Sequence, residues 1–144
     1  MISQFRLNHI LNFFRFFEEN PTSPLDLILR NYFRDNKAIG SKDRKIVSDV
    51  IYDIIRFKGL YDAAIEKKLP ETEAFFDSKY KLSQMEKRVE LSIHSDKNKL
   101  RNNLNLEIFE KLSLPETFYK KLKKSYTDPE IEAIADSLNQ PAPI

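Results

Sequence analysis

The 144-residue chain contains no cysteine, only two glycines and only two histidines. Without cysteine it has no disulfide, no thiolate zinc site and no cysteine nucleophile. His9 and His94 are too few and too far apart in sequence to suggest a metal site. With glycine only at Gly40 and Gly59, no glycine-rich loop is available to cradle a phosphate or a dinucleotide. Long apolar runs are missing as well, and nothing approaches the roughly 20 residues that span a bilayer. The first helical stretch is interrupted by Arg6, Asn8, His9, Asn12 and Arg15, which is not the pattern of a signal peptide. These absences predict a cytoplasmic protein with no membrane partner and no metal.

The composition, 41% hydrophobic and 32% charged, is that of a soluble globular chain of one domain, or one domain with an appendage. The net charge of +2 permits nucleic-acid binding without arguing for it, since the useful signal is clustering of cations on one face.

The chain is organised around the stretch from Asn36 to Lys58. A turn at Gly40 leads to Ser41 as predicted N-cap. The helix that follows carries Ile46, Val47, Val50, Ile51, Ile54 and Ile55, which fall within about half a turn when plotted at roughly 100° per residue. The opposite side collects Lys42, Lys45, Asp49, Asp53 and Arg56, the pattern of a solvated face. Asp43 and Arg44 project toward the apolar side, where a charge needs a partner. Asp43 can use the free N–H groups and partial positive charge of the helix start. Arg44 needs a partner from elsewhere. The pair reads first as a fastener to a neighbouring element; the sharper alternative has Arg44 touching phosphate.

Before this stretch, Phe5 to Phe17 forms a helix whose apolar residues cover about two-thirds of its circumference, so more than one neighbour must cover it. Its aromatics read as core rather than base-stacking groups, and His9 as a packed, hydrogen-bonded histidine. Ser23 as N-cap, Pro24 at the first helical position and Asp26 in the first turn start a second helix, running to about Asp35. After Lys58 and Gly59, a short separate helix is predicted from Leu60 to Lys67, with Leu60, Tyr61, Ala64 and Ile65 inward and Pro70 closing it. Residues 71 to 82 are weakly patterned, with Phe75 and Phe76 as anchors.

Ser83 and Glu86 form a capping box ahead of Met85, Val89 and Ile93. Ser95 to Asn105 is polar and unpatterned. Ser113 and Glu116 supply a second capping box, opening a helix with Phe118, Tyr119 and Leu122 on one side and Lys120, Lys121 and Lys124 on the other. Asp128 and Pro129 start the last helix, with Ile131, Ile134, Ala135 and Leu138 inward. No alternating strand pattern or hairpin signal appears. The predicted fold is all-α, a compact bundle of about seven helices.

Gly40-Ser41-Lys42-Asp43-Arg44 leading into Val50-Ile51-Tyr52-Asp53-Ile54-Ile55-Arg56 resembles the N-terminal helical domain of RsmB-like (Sun-type) RNA cytosine-5 methyltransferases, and more loosely the NusB-type fold. Leu114-Pro115-Glu116 and then Leu138-Asn139-Gln140-Pro141-Ala142-Pro143 resemble the passage of those enzymes toward their catalytic body. The resemblance covers both ends of the chain and leaves residues 60 to 112 poorly matched. It implies a NusB-like helical core over 1–69, a helical extension over 70–112, and a connector over 113–144 toward a methyltransferase domain. It also implies S-adenosylmethionine as cofactor of the full-length enzyme and two catalytic cysteines in that domain. This chain has neither cysteines nor a glycine-rich turn, so no catalytic residue and no cofactor is expected within it.

The expected role is then docking of structured RNA, ribosomal or transfer, against the enzyme's own catalytic domain, through phosphate neutralisation. The candidate residues are Arg30, Arg34, Lys37, Lys42, Arg44, Lys45 and Arg56, with Lys120, Lys121 and Lys124 as a second patch. Apart from Arg44, whose alternative is the fastener, all of them also read as ordinary solvated charges, the first group offset by Asp35, Asp49 and Asp53. The competing function is a helical protein-interaction module or a NusB-type antitermination RNA-binding module. A free-standing enzyme has no recognisable catalytic motif behind it.

Overall fold

The computed structural model of the chain describes residues 2–19, 22–73 and 82–138. All regular structure among them is helical: α1 (Gln4–Glu19), α2 (Leu25–Asp35), α3 (Ser41–Glu66), α4 (Pro70–Glu73), α5 (Gln84–His94), α6 (Lys97–Arg101), α7 (Ile108–Lys111), α8 (Glu116–Lys123) and α9 (Asp128–Leu138). The all-α expectation holds. No helix among the described residues is long and apolar enough to cross a membrane. Contacts divide the chain into two units, Met1–Tyr52 and Asp53–Ile144.

In the first unit, Ile10, Phe13 and Phe14 of α1 are buried, as are Ile28, Leu29 and Tyr32 of α2, Ile39 of the connection, and Val47 and Ile51 of α3. The Tyr32 ring meets Phe13 edge-on at 5.7 Å, and its hydroxyl lies 2.7 Å from His9 Nδ1. His9 is thus the hydrogen-bonded, packed histidine that its position in the aromatic run predicts. Helix α2 starts one residue later than expected. Pro24 has φ −59° and ψ 140°, an extended conformation, so it is the N-cap and Ser23 is not. The Pro24 carbonyl accepts the Ile28 N–H at 3.1 Å. Likewise Gly40, not Ser41, occupies the N-cap of α3, its carbonyl accepting the Arg44 N–H at 2.9 Å.

Asp43 and Arg44 are the fasteners that their projection suggests. Asp43 Oδ1 accepts from Arg6 Nε at 2.7 Å, which ties α3 to α1. Arg44 Nε donates to the Ile39 carbonyl at 2.8 Å, and its guanidinium lies 5.7 Å from the centre of the Phe33 ring. The partner of Asp43 is therefore a side chain of α1.

In the second unit, Phe57, Leu60, Tyr61, Ala64, Leu69, Leu91, Leu100 and Leu106 form one buried cluster. Leu112, Leu114, Ile131 and Ala135 form another, with Tyr119 and Leu122 packed against it. The separate helix expected after Gly59 is present in substance: Phe57 leaves helical geometry (φ −108°, ψ 18°), so α3 is two helices joined at a kink, the second reaching Glu66 and starting a little earlier than expected. Beside the distortion, the N–H groups of Gly59 and Leu60 donate to Ser113 Oγ at 3.1 and 3.4 Å. Ser113 is consequently not the N-cap of α8. Its hydroxyl is engaged on α3, its φ is 57°, and Pro115 takes the capping position.

Helix α5 has the predicted capping box of Ser83 and Glu86. The polar stretch after Ser95 contains α6, capped by Asp96, whose carboxylate accepts from the Asn98 and Lys99 N–H groups. Helix α9 is opened by a box in which Thr127 Oγ1 accepts from the Glu130 N–H and Glu130 accepts from the Thr127 N–H. Two residues expected inward face solvent: Phe118 is 39% and Leu138 61% exposed. The seams of their helices are carried by Tyr119 and Leu122, and by Ile131 and Ala135, which leaves Phe118 outside the seam and Leu138 past its end. Phe75, Phe76 and residues 139–144 lie outside the described residues.

Candidate nucleic-acid interface

Arg30 and Arg34 are exposed one turn apart on α2, Lys37 is exposed in the connection, and Lys42 and Lys45 are exposed three residues apart on α3. The connection from Asn36 to Gly40 can span at most about 20 Å, so these five cations lie along one short course of chain. Arg34 Nε lies 3.5 Å from Asp35 Oδ1, with both side chains mostly in water, a pair of little energetic weight. Arg44 differs from them. Its partner carbonyl and its seat over Phe33 account for it without a ligand. Arg56 is half-buried and belongs to the second unit.

Asp53 is a correction to the expected solvated face. Its residue is only 8% exposed. Its carboxylate accepts from the Tyr61 hydroxyl at 2.5 Å and from Ser92 Oγ at 2.7 Å, and it is paired with Lys97. The position projects outward from the isoleucine stripe, yet α5 and α6 cover it, so it becomes an internal acceptor. No local pattern signals that cover, because Ser92 and Lys97 are about 40 residues away along the chain.

On α8, Lys121 and Lys124 are exposed, and Lys120 Nζ lies 3.0 Å from Glu116 one turn earlier. The better-held cation is one that sequence reading passed over. Lys123 Nζ lies 2.7 Å from Asp128 Oδ1, which also accepts from the Tyr119 hydroxyl at 2.7 Å. The Lys123 and Tyr119 donors together hold the Asp128 carboxyl below the usual range.

A cleft of about 410 Å³ opens in the second unit between α6, α7 and the start of α9. Asn98 and Arg101 line it from α6, Asn102 from the C-cap of that helix, Lys111 from α7, and Asp128 and Glu132 from α9, with Ile108, Leu112 and Pro129 as apolar surface. The Arg101 guanidinium lies 5.0 Å from the centre of the Phe57 ring, and its Nε is buried with no hydrogen-bond partner among the described residues.

No family model, curated protein or solved structure matches the chain.

Proposed function

We propose that this chain is the RNA-docking, non-catalytic region of an S-adenosylmethionine-dependent RNA cytosine-5 methyltransferase, acting on ribosomal or transfer RNA. The observation that carries the reading is the division of charge within Lys42-Asp43-Arg44-Lys45. Asp43 and Arg44 are consumed in fastening α3 to α1 and to the preceding loop. Lys42 and Lys45 stay exposed, following Arg30, Arg34 and Lys37 along the same course. Cations so placed attract a phosphate backbone without reading its sequence.

The two glycines offer S-adenosylmethionine no cradle. Gly40 precedes α3 as its N-cap, and Gly59 lies within α3 against Ser113, so neither glycine forms a cradle. Cofactor and catalysis belong, in this reading, to a further domain of the enzyme. The rival reading, a protein-interaction module, would be favoured by an apolar patch beside α1. In the first unit, the large apolar side chains standing exposed among the described residues are Phe5 and Leu27, and isolated exposed residues of this kind are ordinary.

The test is binding of the purified chain to a structured ribosomal RNA segment at two salt concentrations, beside a Lys42→Ala/Lys45→Ala variant. Binding that weakens with salt and falls further in the variant supports the reading. Absence of binding by the unaltered chain at low salt overturns it and leaves the protein-interaction role.

A further inference from the structure

Arg101 is half-buried, and so is Lys111, which lines the same cleft. The ion pairs nearby, Lys97 with Asp53 and Lys123 with Asp128, leave these two cations without a carboxylate among the described residues. The one buried side-chain nitrogen without a hydrogen-bond partner among those residues is Arg101 Nε. With its Nε turned to the core and no carboxylate paired with it, the half-buried Arg101 guanidinium can meet an anion in the cleft through its other nitrogens.

The rest of the lining narrows the class of anion. Asn98 on α6 and Asn102 at its C-cap stand four residues apart, on either side of Arg101 by one turn and one residue, and each amide both donates and accepts. Glu132 of α9 is a pure acceptor, and Asp128, four residues earlier on the same helix, is already held by Lys123 and Tyr119. Any anion is repelled by these two carboxylates, so the ligand must also bring hydroxyl donors to face Glu132. A nucleotide does so: its phosphodiester suits Arg101 and Lys111, its sugar hydroxyls donate to Glu132, and its base edge matches the asparagine amides. Ile108, Leu112 and Pro129 give the base an apolar surface to lie on. About 410 Å³ is toward the small end of the range for small-molecule sites and holds one unit, not a helix.

We infer that this cleft is a subsite for one unstacked nucleotide of single-stranded RNA, with Arg101 and Lys111 on its phosphate and Asn98, Asn102 and Glu132 on its sugar and base. The inference rests on the RNA-docking reading and adds to it where a looped-out residue is gripped. Sequence-specific RNA proteins commonly take their bases from unpaired loops.

Two measurements on the full chain test it. In the first, the side-chain amide signals of Asn98 and Asn102 are followed by nitrogen-15 NMR during addition of ribonucleoside 5′-monophosphates, ribose 5-phosphate and inorganic phosphate. Monophosphates should move both signals well beyond the effect of phosphate. Unmoved signals, or shifts that phosphate alone reproduces in full, overturn the nucleotide assignment. In the second, an RNA hairpin with an unpaired loop is bound to the chain and to Lys111→Ala and Arg101→Met. Methionine keeps an unbranched stem over Phe57 while removing the charge. Each variant should bind about tenfold more weakly, as loss of one charge-assisted phosphate contact predicts. Lys111 is half-buried and belongs to neither buried apolar cluster, so its variant carries the test if Arg101→Met does not fold. Hairpin binding by the unaltered chain that is unchanged in Lys111→Ala sinks the cleft and leaves the RNA reading standing. No RNA binding by the unaltered chain sinks both.

Discussion

The Tyr61 hydroxyl donates to Asp53 Oδ2 at 2.5 Å, joining the two helical segments of α3 across the kink at Phe57. Ser92 and Lys97 complete the set of donors around the same carboxylate. Removing the carboxylate strands three donors at once. Asp53→Ala should therefore cost about 2–4 kcal/mol, and Tyr61→Phe, which removes one hydroxyl and keeps the ring, about 1 kcal/mol. Urea unfolding midpoints give both values. An Asp53→Ala protein as stable as the original would show that the carboxylate does not organise this part of α3.

The same contact makes stability depend on alkaline pH. Burial first, and the Asp53 charge second, push the Tyr61 phenol well above its ordinary pKa of 10.0. Above that value the unfolded chain releases a proton that the native chain keeps. Stability is then fully present below about pH 10 and declines as pH rises beyond it. Tyr61→Phe should decline less steeply between about pH 9 and pH 11. The slope is reduced but not abolished, because burial also raises Tyr32 and the Asp128 bond raises Tyr119. Equal slopes for the two proteins would remove Tyr61 as the cause.

Ser113 and Gly59 form a coupled pair. A Cβ on Gly59 would stand 3.2 Å from Ser113 Oγ and 3.4 Å from its Cα, tighter than an ordinary contact. Ser113→Ala removes the acceptor of two N–H groups and should cost about 1–2 kcal/mol, as lost helix caps do. In a Gly59→Ala background, where the hydroxyl is already pushed aside, the same change should cost less. A double-mutant cycle in thermal or urea unfolding measures the difference. Additive effects would mean that the two positions do not communicate.

The helical class, the isoleucine stripe of α3 and the capping box at Ser83 were legible because each depends on neighbours within a turn or two. The fastening role of Asp43 and Arg44 was legible too, from their projection toward the apolar side. What stayed hidden depends on chain that is distant in sequence. Asp53 looks solvent-facing until α5 and α6 arrive over it. Ser113 spells a cap by its spacing from Glu116, but Pro115 fits that place and the hydroxyl finds Gly59 and Leu60, 54 and 53 residues earlier. The cleft was invisible for the same reason, since Arg101, Lys111 and Glu132 share no local pattern.

Lys68 shows how the end of α3 turns without glycine. Its φ is 49°, in the left-handed region that β-carbon sterics disfavour, and the Leu69 N–H reaches back to the Ala64 carbonyl at 3.2 Å. Lys68→Gly should stabilise the protein by up to about 1 kcal/mol, because glycine takes this conformation without the steric cost. The readout is the urea midpoint. A loss of stability would indicate that the lysine side chain contributes more than its backbone costs.

The four residues Lys42 to Lys45 should separate cleanly into two behaviours. Asp43 and Arg6 bond with side chains that are 31% and 25% exposed, a geometry worth about 0.5–1 kcal/mol in a double-mutant cycle. Arg44→Ala loses both the Ile39 bond and the contact with Phe33, and should cost about 1–2 kcal/mol. Lys42→Ala and Lys45→Ala touch exposed positions and should shift stability by less than about 0.5 kcal/mol. In RNA binding the order reverses. Each lysine removed should weaken binding across sequences and flatten the salt dependence by about one unit of slope. Arg44→Ala, which removes the charge, should leave the salt slope alone although it destabilises the fold. If instead Arg44→Ala flattened the slope as the lysine variants do, Arg44 would be a phosphate contact and the division of charge in this motif would fail.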